Sequence, residues 1–173
     1  MNENIALLGM VEILSALTCG SVILFLTYKI AMIYGRRKLG LDHSNTSFNI
    51  IIAGLLFSVG YIVSGSIQPI LDSFRIISAT EVTKWELVWK FLAYGGMYIL
   101  IASICAFIVA LLSAVIYSNM TSVSETKEIK ENNIGVAVVL TSIIITLSIM
   151  SSDGIALLIE SFIPYPDLPT RIK

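Results

Sequence analysis

The chain has 173 residues, of which 56% are hydrophobic and 13% are charged, and its mean hydropathy is +0.88. Soluble domains carry about 25% charged residues, and so few charges cannot cover a water-soluble globule. A soluble enzyme is therefore excluded. The net charge of −1 gives no basic surface for nucleic acid. Two cysteines and one histidine are too few ligands for a zinc, haem or iron–sulfur site. We expect an integral membrane protein without a cofactor, in contact with the lipid bilayer.

Four segments are long and apolar enough to cross a membrane, which takes about 20 residues in a helix. These spans cover residues 5–34, 48–66, 90–117 and 133–152, and the loops between them hold most of the charges. Helices satisfy their own backbone hydrogen bonds, as hydrocarbon requires. The sequence therefore predicts an all-α, polytopic membrane protein with four transmembrane helices.

Basic residues are densest in the loop after the first span. Arg36, Arg37 and Lys38 form a cluster there, and the third loop adds Lys127 and Lys130 on the same side. Lysine and arginine are enriched in cytoplasmic loops. We therefore predict that these two loops are cytoplasmic and that both termini lie outside the cytoplasm.

The two halves of the sequence resemble each other. The matching blocks are residues 49–53 with 133–137, 67–74 with 155–162, and 31–34 with 114–117. Two crossings separate the copies, so both copies have the same orientation in the membrane. This predicts two parallel two-helix repeats, residues 1–78 and 79–173, of which the second ends in a proline-rich tail.

The order of features in each half is similar to the order in a known protein family. A span ends in a tyrosine, a short polar loop follows, and an acidic stretch leads into Asn-x-x-x-Ala, most clearly over residues 125–137. The sequence resembles the YjfL-like small inner-membrane proteins of bacteria, which are built from two copies of a domain of unknown function. The resemblance covers nearly the whole chain and implies a four-helix protein of the bacterial inner membrane without an established activity. In the first copy, residues 42–47 replace the acidic stretch.

Apolar residues with helical spacing follow the second and fourth spans. They are Ile67, Ile70, Leu71, Phe74 and Ile77 in the first copy and Ile155, Leu158, Ile159, Phe162 and Ile163 in the second. We predict that each set forms a short amphipathic helix at the outer interface. The alternative is that both sets continue the long spans. Four aromatic residues predict a belt at the same boundary: Trp85, Trp89, Tyr94 and Tyr98.

Two carboxylates lie in or beside the spans. Glu12 is inside the first span, and an ionisable residue within the membrane is a functional candidate. The alternative is that this helix enters the membrane later and leaves Glu12 among the headgroups. Asp153 ends the fourth span on the same side, so the two carboxylates could share a proton or a cation.

Asn49 and Asn133 occupy equivalent positions in the two copies, each at the start of a span. Asparagine at a helix start caps free backbone amides, which is the simpler interpretation. The alternative is that the two side-chain amides face each other between the copies and form an interhelical hydrogen bond, which would support assembly.

Small residues recur at helical spacing in the second and third spans. Four alanines form one ridge, and two further pairs have the small-xxx-small spacing: Ala102, Ala106, Ala110 and Ala114, then Gly54 with Ser58 and Gly60 with Ser64. Such residues let helix backbones approach closely in lipid. We predict that they pack helices together, within one chain or in a homo-oligomer.

The sequence contains no nucleophile–base arrangement and no nucleotide-binding motif, so we expect no enzymatic activity. Two hypotheses remain. The first is an oligomeric membrane scaffold or accessory subunit that docks onto another membrane or envelope protein. The second is a small oligomeric channel or transporter, with a path lined by Ser58, Tyr61, Ser64, Thr141, Ser142 and Thr146.

Overall fold

The computed structural model describes residues 3–71, 84–121 and 124–163. This part of the chain is helical and contains no strands, which confirms the all-α prediction. The elements are α1 (Glu3–Tyr34), a π-helical turn (Gly35–Leu39), α2 (Thr46–Gly65), α3 (Lys84–Met120), α4 (Glu125–Lys130) and α5 (Ile134–Glu160). Residues 67–71 are also helical.

Three segments of the described residues have the length and the composition of membrane spans. They are Thr46–Leu71, Leu92–Met120 and Ile134–Glu160. Their lengths of 26, 29 and 27 residues exceed the roughly 20 residues that a crossing needs. The chain is therefore a multi-pass membrane protein, as its composition predicts.

The central helix of the bundle is α2, which packs against α1, α3 and α5. Within the most apolar part of each span, 39% of the α2 residues are buried, against 17% for α3 and 22% for α5. Two apolar clusters form the core. One lies near Val59, Tyr98 and Ile159, and the other lies near Phe48, Tyr117 and Ile129.

The loops before α2 and α5 meet at one end of the bundle. The amide of Asn45 donates to the carbonyl of Ile129 at 2.8 Å, and the backbone N–H of Ser47 donates to Asn132 Oδ1 at 2.9 Å. The two loops with clustered basic residues therefore lie on the same side, as crossings by both α2 and α3 require.

The ends of two helices differ from the sequence-based boundaries. No break occurs after residue 152: α5 runs on to Glu160, so its last turns continue the span instead of forming a separate interfacial helix. After α2 the regular helix is interrupted at Ser66, whose backbone stays near helical values, and residues 67–71 are helical again. Pro69 explains this interruption, because its ring clashes with the carbonyl four residues earlier and it has no N–H to donate. The rest of the interfacial helix predicted there, residues 72–77, and the proline-rich tail lie outside the described residues.

The cap of α2 is Asn45, one turn before the predicted Asn49. Asn45 has an extended backbone, and its side chain accepts a hydrogen bond from the N–H of Phe48 at 2.7 Å. Asn49 lies in the first turn of the helix, at the start of the span as expected, but it does not cap the helix. The prediction for Asn133 agrees with the structure: it is the N-cap of α5 and accepts from the N–H of Gly135 at 3.1 Å.

One aromatic residue of the predicted belt is in the core instead. Tyr98 is completely buried, and its hydroxyl lies 3.5 Å from the carbonyl oxygen of Phe162. Trp85 and Trp89 are 73% and 68% exposed. The two tryptophans therefore suit a headgroup boundary, whereas Tyr98 joins α3 to the chain after α5.

Candidate functional site

The close contact between α2 and α5 depends on Gly54. A Cβ atom on this glycine would lie 2.6 Å from Cγ2 of Thr141, a distance that side chains do not tolerate. The same threonine donates its hydroxyl to the carbonyl of Ile50 at 3.2 Å. Gly54 therefore lets a helix-to-helix hydrogen bond form inside the bundle, where small residues favour close approach.

A second polar contact lies one turn further along the same interface. The hydroxyls of Ser58 and Ser148 are hydrogen-bonded to each other, and both residues are completely buried. Ser148 also donates to the carbonyl of Ile144 in its own helix at 2.7 Å. We call the set Gly54, Ser58, Thr141 and Ser148 the α2–α5 seam. Its hydroxyls are bonded within the bundle, so the seam joins the two helices.

The remaining small residues lie in three places: the two core clusters and a cleft. Ala102 and Ala106 are completely buried in the first core cluster, and Ala110 and Ala114 are partly buried against the second. Gly60 and Ser64 instead line a cleft between α1, α2 and α3. The predicted small-residue pairs of α2 thus face in different directions: the first pair faces α5, and the second pair faces the cleft.

The outer face of α5 carries three exposed polar residues. Ser142, Thr146 and Asp153 follow each other at spacings of four and seven residues, which places them on one side of the helix. Ser142 donates to the carbonyl of Val138 at 2.9 Å, and Asp153 Oδ1 lies 3.5 Å from the hydroxyl of Ser152. We call these three residues the α5 stripe.

The side-chain amides of Asn49 and Asn133 are not brought together. Asn49 donates to the carbonyl of His43 at 2.9 Å, and Asn133 donates to Glu128 Oε2 at 2.6 Å. Each asparagine amide therefore has a partner in its own loop, and the side-chain amides that join the two loops are those of Asn45 and Asn132. The side chain of Glu12 lies outside the described part of the chain, so its pairing with Asp153 stays a prediction.

The loop before α2 is held by short polar contacts. Ser44 donates to Asp42 Oδ1 with its hydroxyl at 2.6 Å and with its backbone N–H at 2.9 Å. These two hydrogen bonds, with a smaller attraction from Arg36, lower the pKa of Asp42 below its ordinary value of 3.8. Beside them, the hydroxyl of Tyr28 lies 3.1 Å from Nδ1 of His43. The only histidine therefore fastens the loop to α1.

Several residues of the interface were missed in the sequence. Ser148 lies seven residues after Thr141, on the same helix face, and this spacing could have identified it. Asn45 follows an Asp-His-Ser stretch and precedes the apolar run, which is the usual position of an N-cap. Among the described side chains, no group of three His, Cys, Asp or Glu residues could hold a metal ion.

The helices and their packing define a multi-pass, all-helical membrane protein. A family model described as Domain of Unknown Function (DUF350) matches residues 4–155. The chain therefore belongs to the DUF350 family, whose model extends from α1 into α5. Neither a curated protein nor a solved structure matches the chain.

Proposed function

We propose that this protein is a four-span, homo-oligomeric scaffold or accessory subunit of the bacterial inner membrane, without catalytic activity. The exposed α5 stripe is the observation that carries this proposal. Polar and ionisable residues in membrane spans face the bundle interior, a cavity or a partner, because exposure to hydrocarbon is costly. In one copy the stripe faces outward, so a second copy is the partner that would cover it.

The fourth span of the proposal is α1. It is 32 residues long and exposes large apolar side chains, among them Val22, Phe25 and Ile30. Its length corresponds to about 48 Å, more than the roughly 30 Å of hydrocarbon in a bilayer. It packs along α2, a span by length and composition. These properties support a crossing.

The proposed repeat has two parallel halves, residues 1–78 and 79–173, as in the YjfL-like family. The N-caps of α2 and α5 support it, since Asn45 and Asn133 are 88 residues apart, the same offset as between residues 67–74 and 155–162. In this arrangement Arg36, Arg37 and Lys38 face the cytoplasm, and both termini lie outside it.

Cysteine cross-linking tests the oligomer. In a background without native cysteines, Ser142→Cys should give a disulfide-linked dimer in membranes, because the stripe of one copy faces another copy. Leu111→Cys is the matched control, since Leu111 is 68% exposed on α3 and lies outside the stripe. A monomer for Ser142→Cys in membranes, together with a monomeric mass in nanodiscs, would refute the proposal.

A channel or transporter is the second candidate, and the Asp153 carboxylate in the stripe favours it. In an oligomer, copies of Ser142, Thr146 and Asp153 would line the same path. Ser58 and Thr141 do not belong to this path, because their hydroxyls bond across the α2–α5 seam. Liposome flux assays test it: Asp153→Asn should change the ion selectivity or pH dependence of any flux. Liposomes that pass no ion at any pH exclude this second candidate.

A further inference from the structure

We propose that the cleft between α1, α2 and α3 binds one acyl chain of a phospholipid from the outer leaflet. This inference rests on α1 crossing the membrane and on the orientation, both as proposed above. The cleft has a volume of about 440 Å³, within the roughly 300–1,000 Å³ of small-molecule sites in proteins. One wall is α1 near Leu17 and Gly20, the opposite wall is α3 near Gly96, and α2 forms the floor with Gly60 and Val63.

The chemistry of the walls selects a hydrocarbon ligand. Leucine, isoleucine, valine and glycine line the cleft, and Ser64 is the one hydroxyl among the lining residues. That hydroxyl already donates to the carbonyl of Tyr61 at 2.7 Å. A cavity with such walls gives water too few polar partners and stays dry. Because the cleft lies within the hydrocarbon core of the bilayer, the hydrocarbon available to fill it is the acyl chain of a lipid.

The length of the cleft matches one leaflet. Along α2 and the helical residues 67–71 that continue it, the lining runs from Gly60 to Leu71, which corresponds to about 16 Å at 1.5 Å per residue. Half of a bilayer's hydrocarbon core is about 15 Å thick. A lipid chain that enters from one surface would therefore fill the cleft to its inner end, near the middle of the membrane.

Two tryptophans mark where the headgroup would lie. Leu92 and Gly96 line the cleft, and Trp85 and Trp89 precede them on the same face of α3, because spacings of three, four and seven residues share a face. Both tryptophans are mostly exposed, and tryptophan favours the headgroup level of membranes. The ion pair of Glu86 with Lys90, at 2.8 Å, lies at the same level. The end of the cleft that Leu92 lines therefore lies near the polar boundary of its leaflet.

Glycines give the cleft its width. A Cβ on Gly20 or on Gly96 would meet no described atom within 4 Å. Larger residues would therefore fit the backbone but project into the cleft. Hydrophobic transfer does not favour the site over the surrounding bilayer, so retention of the lipid depends on van der Waals contacts with the walls. Filling the cleft should remove those contacts.

Native mass spectrometry from a mild detergent tests the inference. We expect the wild-type chain to retain one phospholipid, and both Gly96→Leu and Gly20→Leu to retain none. Gly65→Leu is the control, because it makes the same change on α2 outside the lining residues, at another position where a Cβ meets no described atom within 4 Å. It should retain the lipid. A phospholipid with a photoreactive group in its acyl chain should label the segment around Gly95 and Ile99 in the wild type. The same segment should be labelled only weakly in Gly96→Leu.

Three outcomes would overturn the inference. Equal lipid retention in the wild type and both cleft variants would show that the retained lipid lies elsewhere. No retained lipid in the wild type, with photolabelling unchanged by Gly96→Leu, would show an ordinary lipid-facing surface. A dimer that carries no lipid and dissociates in Gly96→Leu would show that a second copy fills the cleft. Separate labelling of the N-terminus tests whether α1 crosses, so failure of the lipid site and failure of the four-span proposal give different results.

Discussion

Single side chains fix the loop between the first two helices, and Asp42 is the clearest case. Its carboxylate accepts two hydrogen bonds from Ser44, which turn the chain toward the N-cap at Asn45. A pKa below its ordinary value means that the folded loop favours the charged carboxylate. The contribution to stability is complete above pH 3.8 and is lost as the pH falls through the lowered pKa of the folded state.

We therefore predict that Ser44→Ala raises the pKa of Asp42 toward its ordinary value. The variant removes the hydroxyl bond, the largest cause of the shift, and retains the backbone N–H. Carboxyl NMR titration in detergent micelles measures the change. Ser118→Ala, an exposed serine whose hydroxyl bonds its own helix, should leave this pKa unchanged. The same pKa in wild type and Ser44→Ala would show that the serine hydroxyl does not stabilise the charge.

At the scale of helices, the contact of α2 with α5 leads to a second prediction, which concerns the stability of the bundle. Gly54→Ala should destabilise the bundle by about 1–3 kcal/mol, as overpacking usually does, because its Cβ collides with the Thr141 methyl group. Thr141→Ser removes that methyl and keeps the hydroxyl. The double variant should therefore recover part of the lost stability in thermal unfolding. A simple sum of the two single effects would mean that these residues do not interact.

The third prediction concerns the alanine ridge of α3 and its contribution to stability. Ala106 has no exposed surface, and Ala106→Leu adds bulk where α3 meets its neighbours, so it should cost about 1–3 kcal/mol of stability. Ala93→Leu is the matched control, because Ala93 is exposed on the same helix. Thermal unfolding in detergent compares the two variants. Equal unfolding temperatures would mean that the ridge tolerates larger side chains.

Helix existence was predictable from the sequence, because long apolar runs separated by charged loops leave little other choice in lipid. Helix ends were less predictable. Residues 153–160 contain no proline, so nothing in them stops α5, and the expected boundary at residue 152 was eight residues early. The bond between Ser58 and Ser148 depends on how two distant helices align, which periodicity along one helix does not specify. The ridge and the small pairs were identifiable, but not the helix that each one faces.

At the scale of the whole molecule, the arrangement of basic residues determines the last prediction. The loops around His43 and Thr126 lie at the same end of the bundle, since Asn45 and Ser47 bond the segment before α5. Because basic loops remain in the cytoplasm, an impermeant maleimide on intact spheroplasts should not label His43→Cys or Thr126→Cys. It should label Phe162→Cys, a 51% exposed position after α5, and a cysteine added at the N-terminus. Labelling of the two loops from outside would reverse the orientation and place Asp153 near the cytoplasm. If Phe162→Cys is labelled and the N-terminal cysteine is not, α1 does not cross the membrane and the protein has three spans.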